Sequence, residues 1–512
     1  GRRIEKAAVI GSGIMGGGIA ALCASAGIPV LLLDIVPFDL KDDEKGKKEA
    51  RNKIVKAGYD NIAKAKPGAY MNKKVDANLI SIGNLEDDFD KLKDVDIIFE
   101  VVVENLKIKQ DLFTKLEKVI KPTTIIASNT SGLPLKAMAE GRSKTFKENF
   151  VILHFFNPVR YMKLLEVVPG EASKEVVDFV CSWGEKILGK GMVLAKDTPN
   201  FIGNRIGVQM IGEAFKLIND GISSIPEVDA MFGPTFGIPK TAIFGLADLV
   251  GLDTISHLAK NSYELLKDDE YREIYKFPKF VDDMVAKKML GAKTRDNGGF
   301  YKSEVDLKTW KKIKKVVDPK TIEFAEFDRK AVVPQCAVDA KAKKTLAEKQ
   351  QTIYNGSEFA KKLVASMCIY SANRIPEIAD TLVDIDNAMK WGYAWEAGPF
   401  ECWDNLGVKE TCAQWEKDGL KIPESVKKML ASGATSFYKI EQGKKMYFDL
   451  VAGSYKPIKL SANMLFLEPL KASGKEVKKN ESVSLIDLGD GVFCMEVHTK
   501  MNAMNGQIVD SL

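Results

Sequence analysis

Short apolar runs alternate with helical patterns along the N-terminal part of the chain. Apolar strands are predicted at residues 7–10, 29–33, 95–103, 124–128 and 151–155, and the segments between them have the spacing of helices. Alternation of this kind is typical of a doubly wound α/β sheet, in which helices cover both faces of a mainly parallel sheet. We therefore predict an α/β domain that ends near Leu194.

The first predicted strand breaks into a glycine turn, Gly11-Ser12-Gly13-Ile14-Met15-Gly16, and a helix of small residues follows it. In this context the first two glycines let backbone amides approach a pyrophosphate, and Gly16 lets the helix pack closely on the strand. The second strand leads into Asp34, where a carboxylate accepts hydrogen bonds from ribose hydroxyls and repels a 2′-phosphate. The pattern predicts a Rossmann-like domain that binds NAD rather than NADP. The alternative interpretation of Asp34 is an exposed acid at a strand end.

Beyond Pro199 the pattern turns helical and contains an internal repeat. The segments 229–253 and 386–408 each begin with an aspartate, and each keeps an Asp followed by Gly three positions later. We predict two related helical domains that arose by duplication. The predicted divisions are 1–194 for the NAD-binding domain, 195–330 for the first helical domain, 331–355 for a linker, 356–431 for the second helical domain, 432–482 for a hairpin and linker, and 483–512 for the start of an incomplete domain.

Composition limits the function classes. The 512 residues exceed what one hydrophobic core usually fills, so several domains are expected. A net charge of +5, from 75 basic and 70 acidic residues, is too weak and diffuse to indicate nucleic-acid binding. The seven cysteines lie far apart without a CxxC pair, which indicates a reduced, intracellular protein without a metal site. No apolar stretch has the length of a membrane span, and we expect a cytoplasmic protein.

One histidine stands where an open α/β sheet presents groups to its ligand crevice. His154 lies near the end of the strand at 151–155, and Glu166 lies in the next apolar run. A lone histidine is more often structural, but an acid in an apolar run needs a partner, so a charge-paired dyad accounts for both residues. A histidine can take the proton of a secondary alcohol as hydride leaves its carbon. Glu166 would then fix the imidazole tautomer and stabilise the imidazolium.

Longer motifs carry a family resemblance. They are the glycine turn with Asp34, Val103-Glu104-Asn105-Leu106-Lys107, Ser128-Asn129-Thr130-Ser131, His154-Phe155-Phe156-Asn157-Pro158, Lys196-Asp197-Thr198-Pro199-Asn200-Phe201-Ile202-Gly203-Asn204-Arg205 and Gly298-Gly299-Phe300-Tyr301. With these motifs, roughly residues 5–410 of the chain resemble the 3-hydroxyacyl-CoA dehydrogenases. The resemblance implies NAD-dependent oxidation of L-3-hydroxyacyl-CoA to 3-ketoacyl-CoA in fatty acid β-oxidation.

The resemblance also implies roles for the site residues. His154 would be the catalytic base and Glu166 its partner, and Ser131 and Asn204 would contact the substrate oxygen. Asn157 would support the histidine and help to bind the substrate, while Glu104 and Lys109 would lie near the cofactor, with Gly11, Gly13, Gly16 and Asp34.

The residues alone leave simpler interpretations open. Ser131 fits a helix N-cap, Asn204 fits a polar contact at a helix start, and Glu104 with Lys109 fits a surface pair. The Lys-rich segment 41–74 fits either a solvated helical face or electrostatic capture of CoA phosphates.

Residues 483–512 give two predicted strands around Gly489-Asp490-Gly491 and resemble the start of an enoyl-CoA hydratase (crotonase) domain, as in long bifunctional β-oxidation enzymes. We expect the chain to stop inside that domain and to lack hydratase activity. The expected partner is an acyl-CoA substrate. Two helical domains in one chain could satisfy each other, so both a monomer and a homodimer are open. The rival functions are a hydroxyacid dehydrogenase with a lysine base and a non-catalytic relative comparable to lens crystallins.

Overall fold

A computed structural model describes residues 1–462 and 464–511, which divide into two compact units. The first unit comprises residues 1–380 and 384–405, and the second comprises residues 381–383 and the chain from residue 406 onward. Each unit is described by itself.

An eight-stranded sheet forms the N-terminal part of the first unit. The strand order is β3-β2-β1-β4-β5-β6-β7-β8; strands β1 to β6 are parallel, β7 is antiparallel to β6, and β8 is parallel to β7. The strands are β1 (Ala7–Ile10), β2 (Val30–Asp34), β3 (Ile80–Asn84), β4 (Ile97–Glu100), β5 (Ile125–Ser128), β6 (Phe150–Phe155), β7 (Leu164–Val168) and β8 (Gly191–Leu194).

Helices cover this sheet and give the Rossmann-like fold that the sequence predicted. Because the central strands are covered on both faces, β1, β4, β5 and β6 are buried along their whole length, as their Ile- and Val-rich sequences require. The helices are α1 (Ile14–Ser25), α2 (Lys48–Arg51), α3 (Lys53–Ile62), α4 (Lys73–Asp76), α5 (Leu106–Leu116), α6 (Leu135–Met138), α7 (Lys144–Glu148) and α8 (Lys174–Lys186), with 3-10 turns at Ala77–Leu79 and Phe89–Asp94.

The rest of the first unit is mainly helical, as predicted, but it also contains a small antiparallel sheet that the sequence did not predict. The sheet has the order β11-β10-β9, with β9 (Tyr301–Val305), β10 (Lys312–Val317) and β11 (Phe324–Glu326). The helices are α9 (Gly203–Asn219), α10 (Ile225–Met231), α11 (Phe244–Val250), α12 (Leu252–Leu265), α13 (Lys279–Ala286), α14 (Gln335–Lys341), α15 (Leu346–Gly356), α16 (Glu358–Asn373), α17 (Leu382–Gly392) and α18 (Pro399–Leu406), with 3-10 turns at Pro234–Phe236, Arg272–Tyr275 and Ala292–Thr294.

The internal repeat has the same local structure in both copies. The Asp229 carboxylate accepts backbone hydrogen bonds from residues 243–245 at the start of α11, and the Asp386 carboxylate accepts them from residues 400–401, in the first turn of α18. Gly237 (φ 84°) and Ala394 (φ 56°), each eight positions after its aspartate, both have left-handed backbone conformations. Helix N-terminal amides lack intrahelical acceptors, so both aspartates satisfy the same need.

The segment 331–355, expected to be a linker, is instead helical and packed. It contains α14 and nearly all of α15, and Ala337, Ala340 and Ile353 are fully buried. The Gln350 amide nitrogen donates to the Phe236 carbonyl oxygen at 3.0 Å, which ties this segment to the first helical repeat. The linker was predicted from the Lys- and Ala-rich composition of this segment. Such a composition does not distinguish an extended connection from a pair of amphipathic helices. The other domain limits stay predictions.

The second unit contains short helices and two three-stranded antiparallel sheets. The hairpin predicted within residues 432–482 corresponds to β13 and β14, and the predicted strands around Gly489-Asp490-Gly491 are β16 and β17; β12 and β15 were not predicted. The elements are α19 (Val408–Lys417), α20 (Glu424–Ala431), β12 (Tyr438–Glu441), β13 (Lys444–Asp449), β14 (Ser454–Pro457), α21 (Leu467–Ala472), β15 (Glu476–Lys479), β16 (Val483–Gly489), β17 (Val492–Val497) and α22 (Gly506–Val509), with a 3-10 turn at Lys500–Asn502. Across the described residues, every helix falls short of the length or apolar character that crossing a membrane requires.

Replacing Asp386 with Ala should destabilise the fold by about 1–3 kcal/mol, because two backbone amides lose a buried acceptor. The midpoint of urea unfolding, followed by circular dichroism, measures the change. The matched control is Asp220→Ala, which removes an exposed carboxylate beside Lys216 and should cost less than about 0.5 kcal/mol. Equal shifts in the two variants would contradict the role given to Asp386.

Candidate active site

The antiparallel pairing of β6 with β7 places His154 directly opposite Glu166. The His154 Nδ1 atom lies 2.7 Å from Glu166 Oε2, and the two residues are 3% and 0% exposed. A buried carboxylate is costly unless it is paired, and here the imidazole is its cross-strand partner. The predicted dyad is therefore present as a contact.

The second Glu166 oxygen is held by the start of helix α9. Glu166 Oε1 accepts hydrogen bonds from the backbone amides of Ile202 (3.1 Å) and Gly203 (2.8 Å). Gly203 lies close to its neighbours: a Cβ atom there would lie 3.0 Å from the Phe156 ring, a tight contact, and 3.5 Å from the same carboxylate oxygen. Both oxygens of the acid are thus engaged, and the carboxylate cannot rotate without losing hydrogen bonds.

An unusual backbone turn delivers these two amides. Asn200 (φ 61°) and Phe201 (φ 51°) both lie in the left-handed region, which is uncommon for residues other than glycine. The Asn200 side chain is buried and donates to the Ser262 hydroxyl at 2.7 Å, which stabilises the turn. These residues belong to the motif at 196–205, but their roles could not be inferred from the sequence.

The other imidazole nitrogen faces Ser131. The distance from His154 Nε2 to the Ser131 hydroxyl oxygen is 3.2 Å. If Nδ1 donates to Glu166, Nε2 is the acceptor nitrogen that can take a proton. The rings of Phe156 and Phe201 lie 4.7 and 5.5 Å from the imidazole between centroids and restrict its rotation.

The interpretation of Ser131 as a helix N-cap does not fit the structure. The amides of Leu135 and Lys136 at the start of α6 donate to the Asp197 carboxylate, at 2.9 and 3.2 Å. The Thr130 hydroxyl accepts from the Leu133 amide at 3.0 Å. The Ser131 hydroxyl is left for the histidine.

Asn157 does not have the predicted contact with His154. Its side chain is exposed, and within residues 1–462 and 464–511 it makes no hydrogen bond. Asn129 instead supports the strand that carries the histidine, because its side-chain oxygen accepts from the Phe155 amide at 2.9 Å. Asn204 lies in the first turn of α9, half-buried, and its side-chain oxygen accepts from the Tyr393 hydroxyl at 3.2 Å.

A second charged cluster lies beside Ser131. Lys109 forms a buried ion pair with Glu100 at 2.6 Å, and the Glu104 carboxylate lies 3.4 Å from the same ammonium. Glu104 also accepts hydrogen bonds from the Thr130 hydroxyl and, at 3.2 Å, from the Ser131 amide. Lys109 is 1% exposed, so the interpretation as a surface pair is wrong for that residue.

Glu100 was missed as a site residue. It is fully buried at the end of β4, and it accepts from the Ser128 hydroxyl at 2.5 Å and from the Val102 amide at 3.0 Å, as well as from Lys109. An acid that ends an apolar strand was the available signal, since the same pattern marked Asp34.

Lys190 supports the loop that follows His154. Its buried ammonium donates to the carbonyl oxygens of Val159 and, at 2.7 Å, Met162. Burial lowers the pKa of Lys190 to about 8. The Lys190 ammonium thus holds the backbone of the loop that follows Phe156. Nothing in the sequence pattern indicated this role.

The glycine turn fits a dinucleotide. Gly11 (φ 105°) has no room for a side chain, since a Cβ atom would lie 2.2 Å from the Val101 carbonyl oxygen, and one at Gly16 would lie 1.8 Å from the Gly11 carbonyl oxygen. At Gly13, by contrast, a Cβ atom would have no neighbour within 4 Å, and no side chain caps α1 there. The turn is therefore close-packed at Gly11 and Gly16 and open at Gly13, where α1 begins. This arrangement leaves room for a pyrophosphate at the helix N-terminus.

Asp34 is held at the end of β2, beside the glycine turn. Its carboxylate accepts from the Ser12 amide (2.7 Å), the Ser12 hydroxyl (2.6 Å) and the Ile35 amide (2.8 Å). The acid is therefore held where ribose hydroxyls are expected, and because Asp34 is half-buried, the alternative interpretation as an exposed strand-end acid does not fit. Ser12, inside the glycine motif, is a supporting residue that the motif alone did not single out.

Comparison with known proteins places this Rossmann-type nucleotide-binding fold in a family. The family model for the "3-hydroxyacyl-CoA dehydrogenase, NAD binding domain" matches residues 6–198, and the model for the "C-terminal domain" of the same family matches residues 201–303. The chain belongs to the 3-hydroxyacyl-CoA dehydrogenase family, and it carries the family's NAD-binding domain.

Relatives of two lengths support this assignment. A probable 3-hydroxyacyl-CoA dehydrogenase of Bacillus subtilis is 41% identical over 100% of this chain, and a putative fatty acid oxidation complex trifunctional enzyme of Rickettsia felis is 34% identical over 99% of it. The chain spans 64% of the length of each of these two relatives. The mitochondrial hydroxyacyl-coenzyme A dehydrogenase of Sus scrofa is 35% identical over 58% of this chain and 91% of its own.

Solved structures support the fold. The crystal structure of 3-hydroxybutyryl-CoA dehydrogenase from Escherichia coli K12 covers 84% of this chain and 100% of its own, with a TM-score of 0.63 at 22% identity. The dehydrogenase part of multifunctional enzyme 1 from C. elegans covers 83% of this chain and 89% of its own, with a TM-score of 0.52 at 20% identity.

Replacing Asp34 with Ala should weaken NAD binding by about 10- to 100-fold and reduce the discrimination against NADP, because a charged hydrogen-bond acceptor is lost. Fluorescence titration with NADH and NADPH measures both effects. Asp178→Ala, at an exposed position on α8, is the control and should leave both affinities unchanged. Equal binding of NADH and NADPH by the unchanged protein would contradict the role of Asp34.

Proposed function

We propose that the chain catalyses the NAD-dependent oxidation of L-3-hydroxyacyl-CoA to 3-ketoacyl-CoA, a step of fatty acid β-oxidation. The observation that carries the proposal is the buried imidazole whose Nδ1 atom contacts Glu166 at 2.7 Å and whose Nε2 atom lies 3.2 Å from Ser131. An alcohol oxidation needs a base of this kind beside a nicotinamide site.

His154 would act as the general base at the substrate's 3-hydroxyl. Oxidation removes a proton from this hydroxyl and a hydride from the carbon that bears it. Bound NAD supplies the acceptor for the hydride. His154 Nε2 takes the proton, and the Glu166 carboxylate stabilises the imidazolium that forms.

Ser131 and Asn204 would hold the substrate oxygen. The Ser131 hydroxyl already lies at hydrogen-bond distance from Nε2, so an oxygen bound to this serine would be close to the base. The Ser131 amide is in turn fixed by Glu104, which connects the substrate side of the site with the Lys109 and Glu100 cluster. That cluster lies at the ends of adjacent parallel strands, where open α/β sheets bind their ligands.

A lysine-based mechanism is less consistent with these contacts. Lys109 is paired with Glu100, and Lys190 donates to backbone carbonyls, so each of these buried ammonium groups already has partners. The interpretation of the Lys-rich segment 41–74 as a CoA-phosphate site stays a prediction, and Lys45, Lys47 and Lys56 each pair with a nearby aspartate. The cytoplasmic location, the monomer or homodimer state and the lack of hydratase activity also stay predictions.

The direct test follows NADH absorbance with 3-hydroxyacyl-CoA thioesters of short, medium and long chains. The proposal expects turnover with at least one of them, and the series defines the chain-length preference. If the protein binds NAD but turns over none of them, it is the non-catalytic relative instead.

Replacing Glu166 with Gln should lower kcat by about 10³- to 10⁴-fold with little change in NAD affinity. The glutamine carbonyl can still accept from the Ile202 and Gly203 amides, but its NH₂ group would then face Nδ1 and favour the wrong imidazole tautomer. Steady-state kinetics and NADH titration measure the two quantities.

The control for this variant is Glu171→Gln, at an exposed position in the same domain, which should retain full turnover. An unchanged kcat in Glu166→Gln, or a loss of turnover that weaker NAD binding alone accounts for, would count against the assigned role.

A further inference from the structure

The amide of Asn204 is oriented by a residue from the second helical repeat. The Tyr393 hydroxyl donates to Asn204 Oδ1 at 3.2 Å, across 189 positions of sequence. Asn204 directly follows Gly203, whose amide binds Glu166, so the contact lies next to the proposed base pair. With its oxygen engaged, Asn204 presents its NH₂ end as a donor, and that group makes no hydrogen bond in the part of the chain that the structure describes.

Helix α9 is shaped to receive the tyrosine. Gly207 lies almost one helical turn after Asn204, and a Cβ atom at this glycine would lie 2.2 Å from the Tyr393 hydroxyl oxygen. The tyrosine ring packs between Phe156 and Trp395, at centroid distances of 6.4 and 6.1 Å. Burial and the nearby Glu166 charge raise the pKa of Tyr393, so the hydroxyl stays a donor.

The internal repeat shows that the hydroxyl is specific to this copy. Tyr393 precedes Ala394 as Phe236 precedes Gly237, each seven positions after the repeat's aspartate. Phe236 lines a small, mainly apolar cavity with residues of α16, including Leu363 and Val364. Thus Phe236, whose ring lies beside α16, has no hydroxyl. Tyr393, whose ring lies beside α9 and the proposed site, has one.

We propose that Tyr393 is a positioning residue for the dehydrogenase reaction. It fixes the Asn204 amide so that Nδ2 donates to the 3-oxygen of the substrate, and the second helical repeat thereby completes the substrate side of the site. This inference rests on the proposed function.

A double-mutant cycle with Tyr393→Phe and Asn204→Ala tests the inference, because the phenylalanine keeps the ring and removes only the hydroxyl. Tyr393→Phe should lower kcat/KM for 3-hydroxybutyryl-CoA by about 3- to 30-fold, with an unchanged melting temperature and unchanged NADH affinity. Asn204→Ala should lower it by about 100-fold or more. Adding Tyr393→Phe to Asn204→Ala should cause no further loss, since the tyrosine acts through the asparagine.

Binding of acetoacetyl-CoA, measured by calorimetry with NAD bound, gives a second readout with the same expected coupling. Phe236→Leu, at the equivalent position of the first repeat, is the control and should leave kcat/KM unchanged. Should Tyr393→Phe fail to fold, Gly207→Ala takes its place in the cycle. Its added Cβ atom would lie 2.2 Å from the Tyr393 hydroxyl oxygen and 2.4 and 2.8 Å from two ring carbons, so the whole tyrosine side chain has to move away from Asn204.

Two results would overturn this inference alone: a Tyr393→Phe protein as active as the unchanged protein, or losses that multiply independently of Asn204. An unchanged protein that neither turns over 3-hydroxyacyl-CoA nor binds acetoacetyl-CoA would overturn the proposed function itself, and the positioning role with it.

Discussion

The register between two antiparallel strands determines the chemistry of this molecule. Because side chains alternate between the faces of a sheet, a shift of one residue in the pairing of β6 with β7 would put His154 and Glu166 on opposite faces. An unpaired carboxylate would then be buried among apolar strands, at a cost comparable to a large part of the stability of a domain. The same pairing therefore stabilises the sheet and forms the proposed base.

Buried charge in the first unit is consistently compensated by partners from several elements. Glu166 is bound by an imidazole and a helix start, and Glu100 by a lysine, a serine and a backbone amide. Such multiple hydrogen bonding satisfies a buried acid and holds it immobile without bulk water. The site can thus be rigid before any ligand arrives, which is what transition-state stabilisation demands.

Sequence patterns predicted the features that depend on neighbouring residues along the chain. They missed the features that depend on contacts between residues distant in sequence. The glycine turn with Asp34 and the apolar strand at His154 are local signals, so the nucleotide-binding fold could be predicted from them. The strands β3 and β8 are the two edge strands of the sheet and are only partly buried, and both were missed. Tyr393 could not be found, because its contact depends on how two repeats pack across 189 positions. The support expected from Asn157 comes instead from Asn129, in a different motif, whose side chain accepts from the Phe155 amide; the expected substrate contact of Asn157 stays a prediction.

The hydrogen bonds between Glu166 and the first amides of α9 have a consequence for whether the nucleotide-binding part and the helical part of such proteins can function separately. The residues that cradle a nucleotide lie wholly in the first 194 or so positions, but the acid behind the imidazole relies on donors that follow Pro199. A Rossmann module separated from its helical neighbour would keep the glycine turn and Asp34, but it would lose two of the hydrogen bonds that hold the acid beside the proposed base. Recombination of such modules in evolution is therefore expected to preserve nucleotide binding more readily than alcohol chemistry.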